Sequence, residues 1–345
     1  MGAEHALDVL IVSLGSTQGL RRADRELADS LVRAGASVEV ATARAPSQAR
    51  TLMLTDLAWA RAARAAAEEA LKRLACAPRA IVYSSTTAAL LWPRPGAIRF
   101  DSTSRGNRPG RHGLWQRPLE RRRLAQSELL LPWSDGALRE APAGVRDGAH
   151  SMVLAVAVEP SAGEREGERD IAAVTYAANP LKKGLDRVLD AWRRASSELS
   201  SGAGELVVTG TSTRELRAAG IDLEGERSVR LAGELSSEQY RTLVRRARVF
   251  ICAPRREDHG LAQLEALADG CQLVTTPAPG PYAALPIAAS LDARLVSEDL
   301  AGALRAALAD PLPDYRLRAA RALEPFSRRE IDRVVAQQLL PRLLA

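Results

Sequence analysis

At 345 residues the chain has room for two domains, each with its own hydrophobic core. Its 46% hydrophobic and 26% charged composition is that of a soluble globular protein, and three cysteines far apart (Cys76, Cys252 and Cys271) argue against a disulfide scaffold or a zinc knuckle. The net charge of +6 is carried almost wholly by arginine: lysine occurs only at Lys72, Lys182 and Lys183, and the other 45 basic residues are arginine.

The N-terminus shows no basic-then-apolar signal pattern, and no apolar run is long enough to cross a membrane, so a soluble cytoplasmic protein is expected. Residues 8–14 read as a buried strand, followed by a loop from Gly15 to Gly19. The next helix carries Leu27, Leu31 and Val32 on one face and stops at Gly35. A strand at 38–40, an alanine-rich helix over 56–75, and strands at 80–83, 97–100 and 129–131 continue the alternation. This is the grammar of a parallel, doubly wound sheet.

Between them lies a basic run: Arg105, Arg108, Arg111, Arg117, Arg121, Arg122 and Arg123, with Glu120 the only acid. It reads as a solvated basic face, or as a surface for an anionic membrane or an anionic acceptor. Nucleic acid is the poorer partner, because aromatic residues are sparse there beyond Trp115.

Residues 159–170 are polar and read as an exposed connection between domains. A second strand–helix series follows, with strands expected at 171–176, 205–209, 228–232, 248–253 and 271–275. Helices are expected at 184–198, 236–247, 260–269 and 297–309. Residues 327–344 form a final amphipathic stretch after Pro325. Two α/β halves joined once imply a cleft lined by the loops at the carboxyl ends of both sheets.

The most informative segment runs from Arg256 to Gly270. Glu257 and Glu265 stand eight positions apart, one before and one inside an apolar helix that follows a buried strand. The first backbone N–H groups of that helix, near Gly260, Leu261 and Ala262, have no internal partner and favour an anion. The glutamates would repel a phosphate, so their natural partners are hydroxyls on either side of it. The adjacent lysines of Asn179-Pro180-Leu181-Lys182-Lys183-Gly184 are a matter of chance, or mark a loop that needs a compact ammonium against phosphate.

At this point the residues resemble a family. Glu257 to Glu265, running on into Ala266-Leu267-Ala268-Asp269-Gly270, is similar to the Glu-x7-Glu motif of group 1 (family 4) glycosyltransferases. Lys183-Gly184-Leu185-Asp186, with Ala191 beyond, resembles that family's phosphate-binding lysine loop, and Val229 to Leu235 its nucleotide-side loop. The order and spacing of the three motifs are more specific than any one of them. The resemblance implies an α/β GT-B fold: two Rossmann-like, doubly wound domains facing a central cleft. They would be an acceptor-side domain over 1–157, a nucleotide-sugar domain over 158–325, and a C-terminal helix over 326–345 that returns to the first.

It also implies transfer of a sugar from a nucleoside-diphosphate-sugar donor to a hydroxyl acceptor (a glycan, lipid or small molecule), with retention at the anomeric carbon. Glu257 would contact sugar hydroxyls, Glu265 the ribose diol, and Lys183 the diphosphate with the amides of Leu261 and Ala262. Gly233 and Leu235 would border the base, Gly15 would approach donor and acceptor, and His112 would face the acceptor or act in catalysis. No Asp-x-Asp occurs in the chain, so neither a metal nor any other cofactor is expected beside the donor. Three departures stand out: Ala178 where the family usually has an arginine, Asp258-His259 for a glycine and an aromatic residue, and Gln272 for a proline. They support an alternative, a weak or inactive GT-B protein serving as a nucleotide-sugar-binding or scaffold protein.

Overall fold

The computed structural model describes residues 6–47, 51–161, 169–198 and 204–345; part of the expected connection, 162–168, lies outside them. The chain divides into two compact units, Met1–Ala157 with Phe326–Ala345, and Val158–Pro325.

The first unit is a five-stranded parallel sheet of β1 (Val9–Ser13), β2 (Val38–Thr42), β3 (Ala80–Tyr83), β4 (Ala97–Phe100) and β5 (Leu130–Pro132), in the order β2-β1-β3-β4-β5. Successive side chains of a strand face opposite sides, so β1 serves two cores. Leu10 and Val12 pack with Ala63, Ala67 and Ala70 of the helix Leu52–Arg73; Val9 and Ile11 pack with Leu27 and Leu31 of the helix Gln18–Arg33. Val32 does not join them and is 56% exposed, because it lies about 100° around the helix from Leu31. Gly19 lies inside that helix rather than in the loop, since Thr17 caps its start by accepting the Leu20 N–H.

The C-terminal stretch is interrupted. Helical segments Arg328–Val334 and Leu340–Leu344 flank a π-helical turn at Val335–Leu339, next to Pro341, which has no N–H to give the ladder. Ile331, Val335 and Leu339 join the Val9–Ile11 core, and Asp332 accepts from Ser30 Oγ and Arg33.

The second unit repeats the plan with β6 (Ile171–Tyr176), β7 (Leu206–Thr209), β8 (Val229–Gly233), β9 (Ala247–Cys252) and β10 (Gln272–Thr275), all parallel, in the order β10-β9-β6-β7-β8. From β6 the chain winds outward through β7 and β8, then returns to the other side of β6 for β9 and β10. The winding direction therefore reverses between β6 and β9, where loops leaving the carboxyl ends of neighbouring strands diverge and leave a crevice. Among the described residues no helix is long and apolar enough to cross a membrane.

Candidate functional site

The β6 and β9 loops meet at that reversal. Arg255 N–H donates to the Lys182 carbonyl (3.0 Å), and the Arg255 guanidinium donates to Leu181 O (2.6 Å) and to both oxygens of Asp186. Gly184 makes this approach feasible: at φ +66 it turns left-handed, and a Cβ there would lie 1.8 Å from the Ala253 carbonyl oxygen. The two loops then present paired charges. Lys183 Nζ donates to Glu257 Oε2 (2.7 Å) and Lys182 Nζ to Asp258 Oδ2 (2.9 Å), while Arg256 Nε reaches Asp258 Oδ1 (3.0 Å). Adjacent acids thus pair with adjacent lysines.

Burial works to lower the Lys183 ammonium, but the Glu257 carboxylate and the hydrogen bond it accepts outweigh it, so Lys183 sits above its ordinary value. Burial works to raise the Asp258 carboxyl, but Lys182 and Arg256 hold it below the usual carboxylate range. The negative charge of Asp258 is therefore balanced, and Lys182 is committed to it.

The helix Leu261–Ala268 starts at Gly260, left-handed at φ +85, where no side chain caps it. Its first-turn amides at Leu261 and Ala262 therefore take no bond from an N-cap side chain. A Cβ on Gly260 would meet the Tyr282 ring at 2.7 Å. Gln263, one turn in, donates from Nε2 to Glu257 Oε2 (3.0 Å), so a second donor grips the oxygen that Lys183 holds. Glu257, Gln263 and Glu265 are all buried, and Lys183 is the most open member of the group at 21% side-chain exposure.

Glu265 lies on the buried side of this helix, with Arg241 Nη1 3.7 Å from its Oε1. The same guanidinium grips Asp269 side-on, Nε to Oδ2 at 2.6 Å and Nη2 to Oδ1 at 2.8 Å. Of the residues singled out in the sequence, Lys183, Glu257, Gly260, Leu261 and Ala262 come together, with Glu265 a turn further along. Gly233 (φ +75) and Leu235 lie at the end of β8, the edge strand two places from β6. Gly15 (φ +60) and His112 belong to the first unit; His112 is exposed in a 3-10 turn, Gly110–Gly113, and Arg21 Nη1 donates to the Gly15 carbonyl. Gln263 was not singled out in the sequence, where a lone amide in an apolar helix was the signal available; Arg241, 28 residues from Asp269, left no local signal.

The basic run is not one surface. Arg108 forms a fork with Asp56, Arg117 donates to Gly113 and Gly110 carbonyls, and Arg123 donates to Leu90 O and lies over the Trp92 ring. Glu120 is buried and accepts from Ser104 N–H and Oγ. Arg105, Arg111, Arg121 and Arg122 remain exposed, and so does Leu114, at 63%.

Among the described residues, no three His, Cys, Asp or Glu side chains cluster so as to hold a metal ion. Residues 169–311, nearly all of the second unit, match the family model described as Glycosyl transferases group 1. The second unit carries a group 1 glycosyltransferase domain. Three solved structures share the fold of the whole chain. Anabaena HepE, in complex with UDP and glucose, is 14% identical with a TM-score of 0.65, over 97% of this chain and 99% of that one. WaaG, a glycosyltransferase involved in lipopolysaccharide biosynthesis, is 15% identical with a TM-score of 0.65, over 98% and 97%. Sucrose-phosphate synthase from Thermosynechococcus elongatus is 15% identical with a TM-score of 0.65, over 97% and 98%. No curated protein matches the chain. The fold of the chain is thus the GT-B fold, with one doubly wound sheet per unit.

Proposed function

We propose that the chain transfers a sugar from a nucleoside-diphosphate donor held by the second unit to a hydroxyl acceptor, with retention at the anomeric carbon and without a metal. The observation that carries this reading is the Lys183–Glu257 pair at the β6/β9 reversal, beside a helix start with no side-chain cap. Breaking the glycosidic bond places growing negative charge on the leaving phosphate. Lys183 and the amides of Leu261 and Ala262 stabilise that charge more in the transition state than before it. Glu257 then accepts from sugar hydroxyls and Glu265 from the ribose diol, since a carboxylate is an acceptor only. Gly233 and Leu235 border the base. The leaving phosphate, on the face where the acceptor arrives, takes the acceptor's proton. Gly15 and His112 serve the acceptor side from the first unit. The UDP and UDP-glucose complexes of HepE support a uridine nucleotide as the first donor to try.

A thermal-shift panel of UDP-, GDP- and ADP-sugars tests donor binding, because a ligand of the native state alone raises the melting point. Nucleotide release measured by mass spectrometry, and the anomeric configuration of the product by NMR, test turnover and retention. The binding-only alternative rests on Ala178 together with Lys182, whose contact with Asp258 keeps it from standing in for an arginine. It is the reading that survives if a donor binds and no nucleotide is released.

The exposed Arg105, Arg111, Arg121 and Arg122, with the exposed Leu114, support peripheral contact with an anionic membrane face from the cytoplasmic side. Co-sedimentation with anionic but not with neutral vesicles, lost when the four are changed to Gln, is the expected result.

A further inference from the structure

Glu265 and Asp269 stand four apart on one helix, so their carboxylates share a face and repel one another. Both are buried, which makes that repulsion stronger than it would be in water. Arg241, itself only 8% exposed and contributed by the neighbouring helix Ser237–Arg246, spans the two. Its bidentate grip on Asp269 fixes the plane of the fork, and its Nη2 also donates to the Glu159 carbonyl at 2.8 Å. Asp269 Oδ1 accepts in turn from Ser161 N–H and Oγ, both at 2.7 Å. The guanidinium therefore has little freedom, and its remaining edge, Nη1, faces Glu265.

At 3.7 Å that contact is Coulombic and beyond hydrogen-bond reach. It acts on the direction of the Glu265 side chain through charge. We propose that Arg241 is a positioning residue for the donor's nucleoside: pinned by Asp269, it holds the Glu265 carboxylate aligned to accept ribose hydroxyls. The inference rests on the donor-site reading above, in which Glu265 meets the ribose. A lysine could not replace it fully, because a point charge cannot grip Asp269 with two parallel bonds and face Glu265 at once. The first residues of the second unit, Glu159 and Ser161, hang on the same Arg241–Asp269 pair, so the nucleoside site and the entry of the chain into this unit share one support.

The experiment is calorimetric titration of the full chain with UDP, GDP, ADP and inorganic pyrophosphate. Arg241→Met is expected to weaken whichever nucleoside diphosphate the native chain binds by about tenfold to a hundredfold, the worth of the ribose hydrogen bonds to a charged Glu265 that depend on its alignment. Pyrophosphate, which has no ribose, is expected to bind the variant and the native chain equally. Glu265→Gln should weaken the nucleotide to a similar degree, and the double variant Arg241→Met/Glu265→Gln no further, because one residue acts through the other. Arg241→Lys should recover part of the loss. Since Arg241→Met removes the cation beside two buried acids, Arg241→Met/Asp269→Asn, which leaves one acid, is titrated as well, with its fold checked by circular dichroism. Nucleotide affinity unchanged in that folded variant, additive losses in the cycle, or an equal loss for pyrophosphate each overturn the proposal. A native chain that binds none of the three nucleotides overturns the donor-site reading, and this inference with it.

Discussion

Lys183 Nζ lies 2.7 Å from Glu257 Oε2 and joins two loops that are 74 residues apart in sequence. Gln263 Nε2 approaches the same oxygen at 3.0 Å, so one carboxylate oxygen is held by a cation and an amide together. Lys183→Met is therefore expected to act twice. Loss of a cation aimed at the leaving phosphate should lower donor turnover by about a hundredfold to a thousandfold. The same change leaves the buried Glu257 without its cation and should depress the melting temperature. Lys183→Met/Glu257→Gln should recover most of that melting temperature and none of the turnover. Nucleotide release and thermal melts on the two variants separate the effects; turnover that returns with stability would mean Lys183 has no part in the chemistry.

Most of the fold was legible in the chain because apolar strand runs and helical periodicity alternate without a break. All ten strands fall within two residues of the positions expected from pattern alone. Other short helices were not visible: Thr213–Ala218 is too brief for a periodic signal and is started by a capping box at Ser212 and Glu215, and Tyr315–Ala322 carries three arginines among its eight residues. At the site, Glu257, Glu265 and Lys183 could be read because their spacing is local. Their partners could not. Arg241 reaches Asp269, and Lys182 reaches Asp258, only because parallel strands bring distant loops side by side, and no short-range pattern records that.

The Asp258 carboxyl gives a pH signature. Its folded-state value lies below the ordinary 3.8 because Lys182 and Arg256 outweigh burial. A depressed carboxyl contributes stability that is present above its unfolded value and is lost as pH falls through the folded one. The melting temperature of the native chain should thus fall steeply below about pH 4. Asp258→Asn removes this titration, so its melting curve should lie lower at neutral pH and be flatter between about pH 4 and pH 2. Parallel pH dependences in the two proteins would contradict the pairing.

Two left-handed glycines should respond differently to alanine. Gly233, at φ +75, has nothing within 4 Å of a would-be Cβ, so Gly233→Ala carries only the conformational cost of about 1 kcal/mol. Gly184 carries that cost and places its new methyl against the Ala253 backbone, which no side-chain rotation relieves. Gly184→Ala should separate the β6 and β9 loops and lose several times more stability, together with donor binding. Urea midpoints compared between the two variants decide the matter, and equal shifts would contradict the close approach.

The first unit has a buried charge of its own. Arg99, in the middle of β4, is 2% exposed, and burial pushes its guanidinium down to about 10 against the opposing pull of Asp24 and Asp101. Burial likewise raises the Asp24 carboxyl, although Ser13 and Arg99 work the other way. Their closest approach is 3.9 Å, and neither Arg99 Nε nor Asp24 Oδ1 has a hydrogen-bond partner among the described residues. Such a pair meets the desolvation of two ions with a weak mutual bond, which apolar residues of like volume match or exceed. Arg99 also donates to the Ala23 carbonyl and stacks over the Trp133 ring, so a flexible apolar chain is the natural replacement. Arg99→Met alone should cost about 3–5 kcal/mol, because Asp24 is left charged and buried. Arg99→Met/Asp24→Leu should be neutral or more stable than the native protein. Chemical denaturation of the single and double variants reads both outcomes. A double variant as unstable as the single one would mean that the pair orders the β1 loop near Gly15, through the bond from Ser13 Oγ to Asp24, rather than merely filling the core.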